Sequence, residues 1–150
     1  MSTVTIKSTN GKELFVASNP GSVQLTGSIT TTTMLDAVAL GAGATTAIGD
    51  CVALDLSTMP PGGMVSITVD VDYSATHSGG VTIKFYGSHD GTNYDDEEFA
   101  VGSIASNAGG TKQKSFVLDV GGLKGLKITV TNNDGSNALD SVSAYGNVRK

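Results

Sequence analysis

Between residues 64 and 93 the chain keeps a two-residue rhythm. Val65, Ile67, Val69, Val71 and Tyr73 alternate with Ser66, Thr68, Asp70 and Asp72, and Val81, Ile83 and Phe85 then alternate with Thr82, Lys84 and Tyr86. Side chains of period two point to opposite faces of a strand, so each run has one apolar and one wet face. Residues 74–80 between the runs carry Gly79 and Gly80, which tolerate the positive φ of a tight connection. The pattern predicts an antiparallel hairpin in the middle of a sheet.

The same rhythm recurs in shorter pieces. Residues 2–7 and 13–17 read as strands about Asn10 and Gly11, a hairpin turn signal, and Val23, Leu25, Gly27 and Ile29 keep period two before the β-branched run Thr30, Thr31, Thr32 and Thr33. Residues 34–40 are apolar; a short helix fits them, but the flanking Gly and Thr favour an extended segment. A strand is expected over 47–56 with Cys51 inside it, then a turn at Pro60, Pro61, Gly62 and Gly63. Beyond the central pair, Phe116, Leu118 and Val120, then Leu126, Ile128 and Val130, then Val142, Ala144 and Gly146 mark three further strands, separated by turns at 121–122 and 132–137.

Short strands at regular spacing, Gly and Asn turns and no amphipathic helix predict an all-β fold, an antiparallel β-sandwich or jelly roll. Its expected inward face is Ile67, Val69, Ile83, Phe85, Phe116, Leu118, Ile128 and Val130. No fixed-period repeat supports a propeller or β-helix. Residues 1–33 are rich in Ser and Thr, with Leu14, Phe15, Val23, Leu25 and Ile29 as the main apolar anchors. They read as an extended arm or outer strands preceding a sandwich domain at 34–150. An extended backbone must pair its donors and acceptors when buried, so this segment is expected to pair with sheet edges, its own or a neighbour's, and is read as a contact element that docks on neighbouring subunits.

Composition narrows the function. A chain of 150 residues buries roughly 68–70% of its unfolded surface, enough for a core without disulfides or metal. A net charge of −5 repels phosphate backbones and argues against nucleic acid. No apolar run reaches transmembrane length, and no basic region followed by an apolar stretch marks a secretory signal. The single Cys51 lies in an apolar run and reads as a small buried hydrophobe. The acidic stretch of Asp90, Asn93, Asp95, Asp96, Glu97 and Glu98 offers oxygen ligands of the kind calcium takes. Gly91 falls too early for the helix–loop–helix calcium pattern, so a solvated turn is the better reading. The same holds for Asn132, Asn133, Asp134 and Asn137. His77 and His89 stand in separate loops and define no metal site, and no Ser-His-Asp set or phosphate-cradling glycine loop is present. The expectation is a non-enzyme without cofactor or metal. Aromatics are only 5% of the chain, which weakens a carbohydrate-binding reading, although Tyr86, Tyr94 and Tyr145 are available to line a small site.

Three segments carry a family resemblance. Met34, Leu35, Asp36, Ala37 and Val38 precede Gly41, Ala42 and Gly43; residues 85–94 contain a Gly-Ser-x-Asp-Gly-Thr-Asn-aromatic turn; and residues 123–132 form a penultimate strand. Together they resemble small β-sandwich structural proteins of tailed bacteriophage virions, over residues 34–150. Tyr94 stands where that group more often has Trp, and the acidic 95–98 replaces a more apolar continuation. The resemblance implies a virion structural protein, foremost a capsid decoration or cement protein binding neighbouring capsid subunits, assembled in the host cytoplasm. Neck, tail and fibre-attachment proteins are the alternatives. The implied partners are other virion proteins (major capsid, or neck and tail subunits) and further copies of the chain, with no membrane or nucleic acid.

Overall fold

The computed structural model describes residues 28–60 and 62–149 with their side chains, and the backbone of two further strands, β1 (Val4–Lys7) and β2 (Glu13–Ala17). These two pair antiparallel as the Asn10 and Gly11 signal predicts. The other strands are β3 (Ile29–Leu40), β4 (Leu54–Asp55), β5 (Met64–Tyr73), β6 (Val81–Ser88), β7 (Ala100–Ile104), β8 (Gly110–Asp119), β9 (Gly125–Asn132) and β10 (Leu139–Arg149). No α-helix occurs among the described residues. The segment at 34–40 is therefore extended, and its sheet pairing begins at Ile29, within the residues assigned from sequence to the N-terminal segment.

Two four-stranded sheets form, ordered β3-β10-β5-β8 and β4-β9-β6-β7. The pairing is nested: β3 with β10, β4 with β9, β5 with β8, β6 with β7. Two further pairings, β5 with β10 and β6 with β9, complete the sheets. This is one long ribbon rolled into two layers, the jelly-roll arrangement.

The core lies between the layers. Val65, Ile67, Val69, Val71 and Tyr73 from β5 meet Val81, Ile83 and Phe85 from β6 and Leu126, Ile128 and Val130 from β9, all buried. Six of the eight expected inward residues are fully enclosed; Phe116 and Leu118, on the edge strand β8, are partly buried against the same cluster. The Phe116 ring meets Phe85 edge-on at 5.5 Å.

The expected hairpin of β5 and β6 does not form. They lie in opposite sheets, and residues 74–80 carry the chain across the end of the sandwich. Periodicity reveals which face of a strand is buried but not which strand lies beside it, and both arrangements bury the same residues. Polar chemistry fixes the crossing. Asn132 Oδ1 accepts from His77 Nε2 at 2.8 Å and from the Asp134 N–H at 2.9 Å, while its Nδ2 donates to the carbonyls of Gly41 and Asn137. Asp134 accepts from the Ser78 N–H and hydroxyl, from the N–H groups of Ser136 and Asn137, and from Asn137 Nδ2. The backbone N–H of Ser78 contributes most to holding the Asp134 carboxyl well below its ordinary range. Gly79 fits because it has no side chain: a Cβ there would lie 2.4 Å from the Asp134 nitrogen and 2.6 Å from the Asn133 carbonyl carbon.

The strand expected over 47–56 is also interrupted. Residues 48–50 form a single 3-10 turn, and only Leu54 and Asp55 pair with β9. Side chains stand in for the missing ladder: Thr46 Oγ1 accepts from the Val130 N–H at 2.9 Å and Cys51 Sγ from the Ile128 N–H at 3.3 Å. Cys51 is buried as expected, and burial pushes its thiol pKa up.

Phe85→Ala should cost about 3–5 kcal/mol in urea unfolding through the cavity it leaves. Gly79→Ala should cost roughly 1–3 kcal/mol, because the atoms its methyl would strike are backbone and cannot rotate away. A Gly79→Ala chain as stable as the parent would show that the crossing is not tightly docked.

Candidate functional site

The two outer faces of the sandwich differ. On the β3-β10-β5-β8 sheet, exposed apolar residues of β3, β5 and β8 lie in a strip at one end, with polar residues of β10 between them. Ile29 is 69% exposed, Met64 59% and Val117 64%, with Ser66, Asn147 and Arg149 among them around a hollow of about 220 Å³. The register explains the strip: Ile29 lies opposite Arg149, and Ser66 opposite both Asn147 and Val117. Thr31 Oγ1 donates to Asn147 Oδ1 at 2.7 Å, tying the edge strand to its neighbour. The face becomes polar and acidic toward Asp70 and Asp72. β3 begins at Ile29, within the strip.

Of the expected contact residues, Ile29 is thus the first residue of β3 and exposed. Leu14 and Phe15 belong to β2, whose side chains lie outside the described residues, as do Val23 and Leu25 altogether. Met64 and Val117 complete the strip; parity alone marks them, since each occupies the wet face of its strand.

The β4-β9-β6-β7 sheet carries a groove of about 550 Å³. Its floor is Tyr86 of β6 and Thr129 of β9, one wall is Ile48 of the 3-10 turn, and the other is the loop with Asn93, Tyr94, Asp95 and Asp96. The loop is built by Asp90, whose Oδ1 accepts from the Thr92 and Asn93 N–H groups at 2.7 Å each and from Ser88 Oγ at 3.0 Å; Oδ2 accepts from Asn93 Nδ2. These bonds, the Asn93 N–H foremost, hold the Asp90 carboxyl well below its ordinary range. Gly91 takes φ +83°, as that turn sequence requires. Lys127 joins the two walls, its Nζ donating to the Ile48 carbonyl at 3.3 Å and lying 5.1 Å from the centre of the Tyr94 ring. Tyr86 and Tyr94 are therefore brought together, whereas Tyr145 lies on the other sheet. Sequence reasoning did not single out Thr129 or Ile48.

Among the described residues, no group of three His, Cys, Asp or Glu side chains is arranged to hold a metal, and no helix is long and apolar enough to cross a membrane. His77 is buried edge-on against Tyr73, and His89 Nδ1 meets the Gly122 carbonyl at 3.2 Å.

No family model matches the chain, and no curated protein sequence matches it. Among solved structures, the infectious bursal disease virus Gx strain gives a TM-score of 0.51 at 14% identity, over 99% of this chain and 37% of that one. The VP2 subviral particle of infectious bursal disease virus gives 0.50 at 14% identity, over 89% and 37%. The SPBc2 prophage-derived protein YomS gives 0.46 at 18% identity, over 87% and 100%. The chain spans little more than a third of the two viral chains, and at these identities the likeness is one of fold. The fold defines the chain as an antiparallel jelly-roll sandwich.

The sign of the pH dependence follows from Asp90 and Asp134. Both carboxyls lie below the ordinary value of 3.8 in the folded chain, so their stabilisation is complete above that value and is lost as pH falls toward the folded pKa. Asp90→Asn and Asp134→Asn should each lower the Tm at pH 7. The gap between parent and variant should narrow on acidification below about pH 4; a gap that widens there would overturn the assignment.

Proposed function

We propose that this chain is a structural protein of a bacteriophage virion, a capsid decoration or cement protein that binds neighbouring capsid subunits through its N-terminal segment and the adjoining apolar strip. The observation that carries the reading is the strip itself. Three large apolar side chains, Ile29, Met64 and Val117, stand exposed on three of the four strands at the end where β3 begins. Contiguous exposed apolar surface rimmed by polar groups is the ordinary mark of a protein interface. The jelly roll is a fold used by viral capsid domains, and the turn at residues 87–94 carries the resemblance to phage virion proteins noted above.

In this reading Leu14, Phe15, Val23, Leu25 and Ile29 are the anchors of the contact. Strand addition to a neighbour's sheet edge supplies main-chain bonds, and alternate side chains supply specificity. Because Ile29 to Thr33 pair with β10, the separable arm ends before Ile29.

The test is a chain beginning at Ser28, together with Val117→Asp in the full-length chain. Both should keep a Tm within a few degrees of the parent, yet fail to bind particles assembled without the protein. Electron microscopy of parent-loaded particles should place it on the capsid lattice at many copies. Density confined to the neck or tail would favour the alternative virion role, and unimpaired attachment of both variants would remove the strip and arm as the docking element.

A further inference from the structure

The groove on the opposite sheet has a chemistry of its own. Threonines on the outer faces of these sheets normally find a partner across the strand: Thr45 bonds Thr131 at 2.9 Å and Thr68 bonds Ser115 at 2.9 Å. Thr129 does not. Its register partner is Lys84, whose ammonium is drawn away to Glu98 at 3.1 Å. Thr129 lines the groove at 6% exposure, but its Oγ1 is enclosed by its neighbours and has no hydrogen-bond partner. A hydroxyl buried without a partner costs stability. The Tyr94 hydroxyl is likewise enclosed and unpartnered, packed against Gly125 rather than facing the groove.

We propose that the groove binds a neutral carbohydrate, with Tyr86 and Tyr94 packing against the sugar ring and a turn of the Thr129 side chain about χ1 bringing its Oγ1 to one of the sugar hydroxyls. The volume of about 550 Å³ suits a saccharide unit, and few convergent polar groups on an aromatic floor are what such sites present. Asp95 and Asp96 at the rim are acceptors for the hydroxyl donors of a sugar. Charge selects against an anion: two carboxylates line the groove, and the nearby Lys127 ammonium is committed to the Ile48 carbonyl and the Tyr94 ring. The walls of the groove are preformed, because Asp90 fixes the loop and Lys127 ties it to the opposite wall. Jelly rolls also serve as lectin domains, so the fold accommodates this use. The proposal goes beyond the virion reading and is independent of it: the groove and the apolar strip lie on opposite outer faces.

The experiment is NMR titration of the full-length chain, in chelator, with maltotriose, cellotriose and triacetylchitotriose as neutral probes and sialyllactose as the anionic one. At least one neutral probe should shift the amides of residues 92–96 and 129, with a Kd below about 10 mM. Tyr86→Ala should weaken that binding roughly tenfold. Thr129→Val should weaken it several-fold while leaving the Tm equal or higher, because it removes an unpartnered buried hydroxyl at constant shape; a merely structural threonine would not separate the two readouts. Tyr145→Ala, on the other sheet, should bind like the parent. Absence of shifts with every neutral probe, preference for sialyllactose, or binding indifferent to both Tyr86→Ala and Thr129→Val would overturn the proposal. Particle attachment of the Tyr86→Ala chain, measured alongside, should be unchanged, which keeps failure here distinct from failure of the docking role.

Discussion

The crossing at residues 74–80 is the contact on which the jelly roll depends. A chain with this periodicity can bury the same apolar residues in a flat hairpin or across two layers, and hydrophobic area alone does not choose between them. Asn132 and Asp134 choose. Their side chains are buried, and burying an amide and a carboxylate is costly unless each is hydrogen-bonded. The bonds available come from His77, Ser78 and the loop at 134–137, and they are made only when β5 hands over to β6 in the opposite sheet. A polar network that satisfies Asn132 and Asp134, with His77 Nδ1 and Ser74 Oγ left unpartnered, selects one topology from several of similar apolar burial.

Once β5 and β6 are in opposite layers, the nested pairing follows and leaves four edge strands to be managed. Three devices blunt them. β3 is bulged, with Ala37 at φ +47° and its N–H donating to Ser143 Oγ. β4 is two residues long. β7 and β8 meet at a corner where Lys112 and Lys114 donate to the carbonyls of Ser106 and Ser103. The interruption before β4 has a second consequence. Because Thr46 Oγ1 and Cys51 Sγ satisfy β9, the chain is free to leave the sheet at Ile48 and raise one wall of the groove. The edge device and the candidate binding site are thus the same piece of chain.

The sandwich presents two unlike outer surfaces separated by one core. One is apolar at the end where β3 begins; the other is a polar, aromatic-floored groove braced by Lys127. In the proposed role one face meets the lattice, which leaves the opposite sheet available to meet something else. This division gives the proposed docking and the proposed carbohydrate contact their separate places, and the rigidity of the layers between them needs no signal passing from one to the other.

Much of this was legible in the chain. Alternation along 65–73 and 81–85 marked the buried face residue by residue, because parity depends only on the strand itself, and the Asp90–Gly91–Asn93 turn was readable because its bonds are local. The choice of neighbour for each strand was not, since it rests on bonds between loops more than fifty residues apart, such as His77 to Asn132. Nor was the break at 48–50, where an apolar run suited to a strand gives way because a threonine and a cysteine side chain replace its ladder bonds. The groove belongs wholly to this second kind of information. Tyr86 and Tyr94 were visible as aromatics, but Thr129 acquires its meaning only from the register that sets it opposite Lys84 and from the Glu98 carboxylate that draws that lysine away. Sequence by itself determined which side chains are buried and where the local turns fall; only the tertiary structure decided which strands are neighbours and which polar groups go unpartnered, because pairing across layers is a property of distant segments meeting.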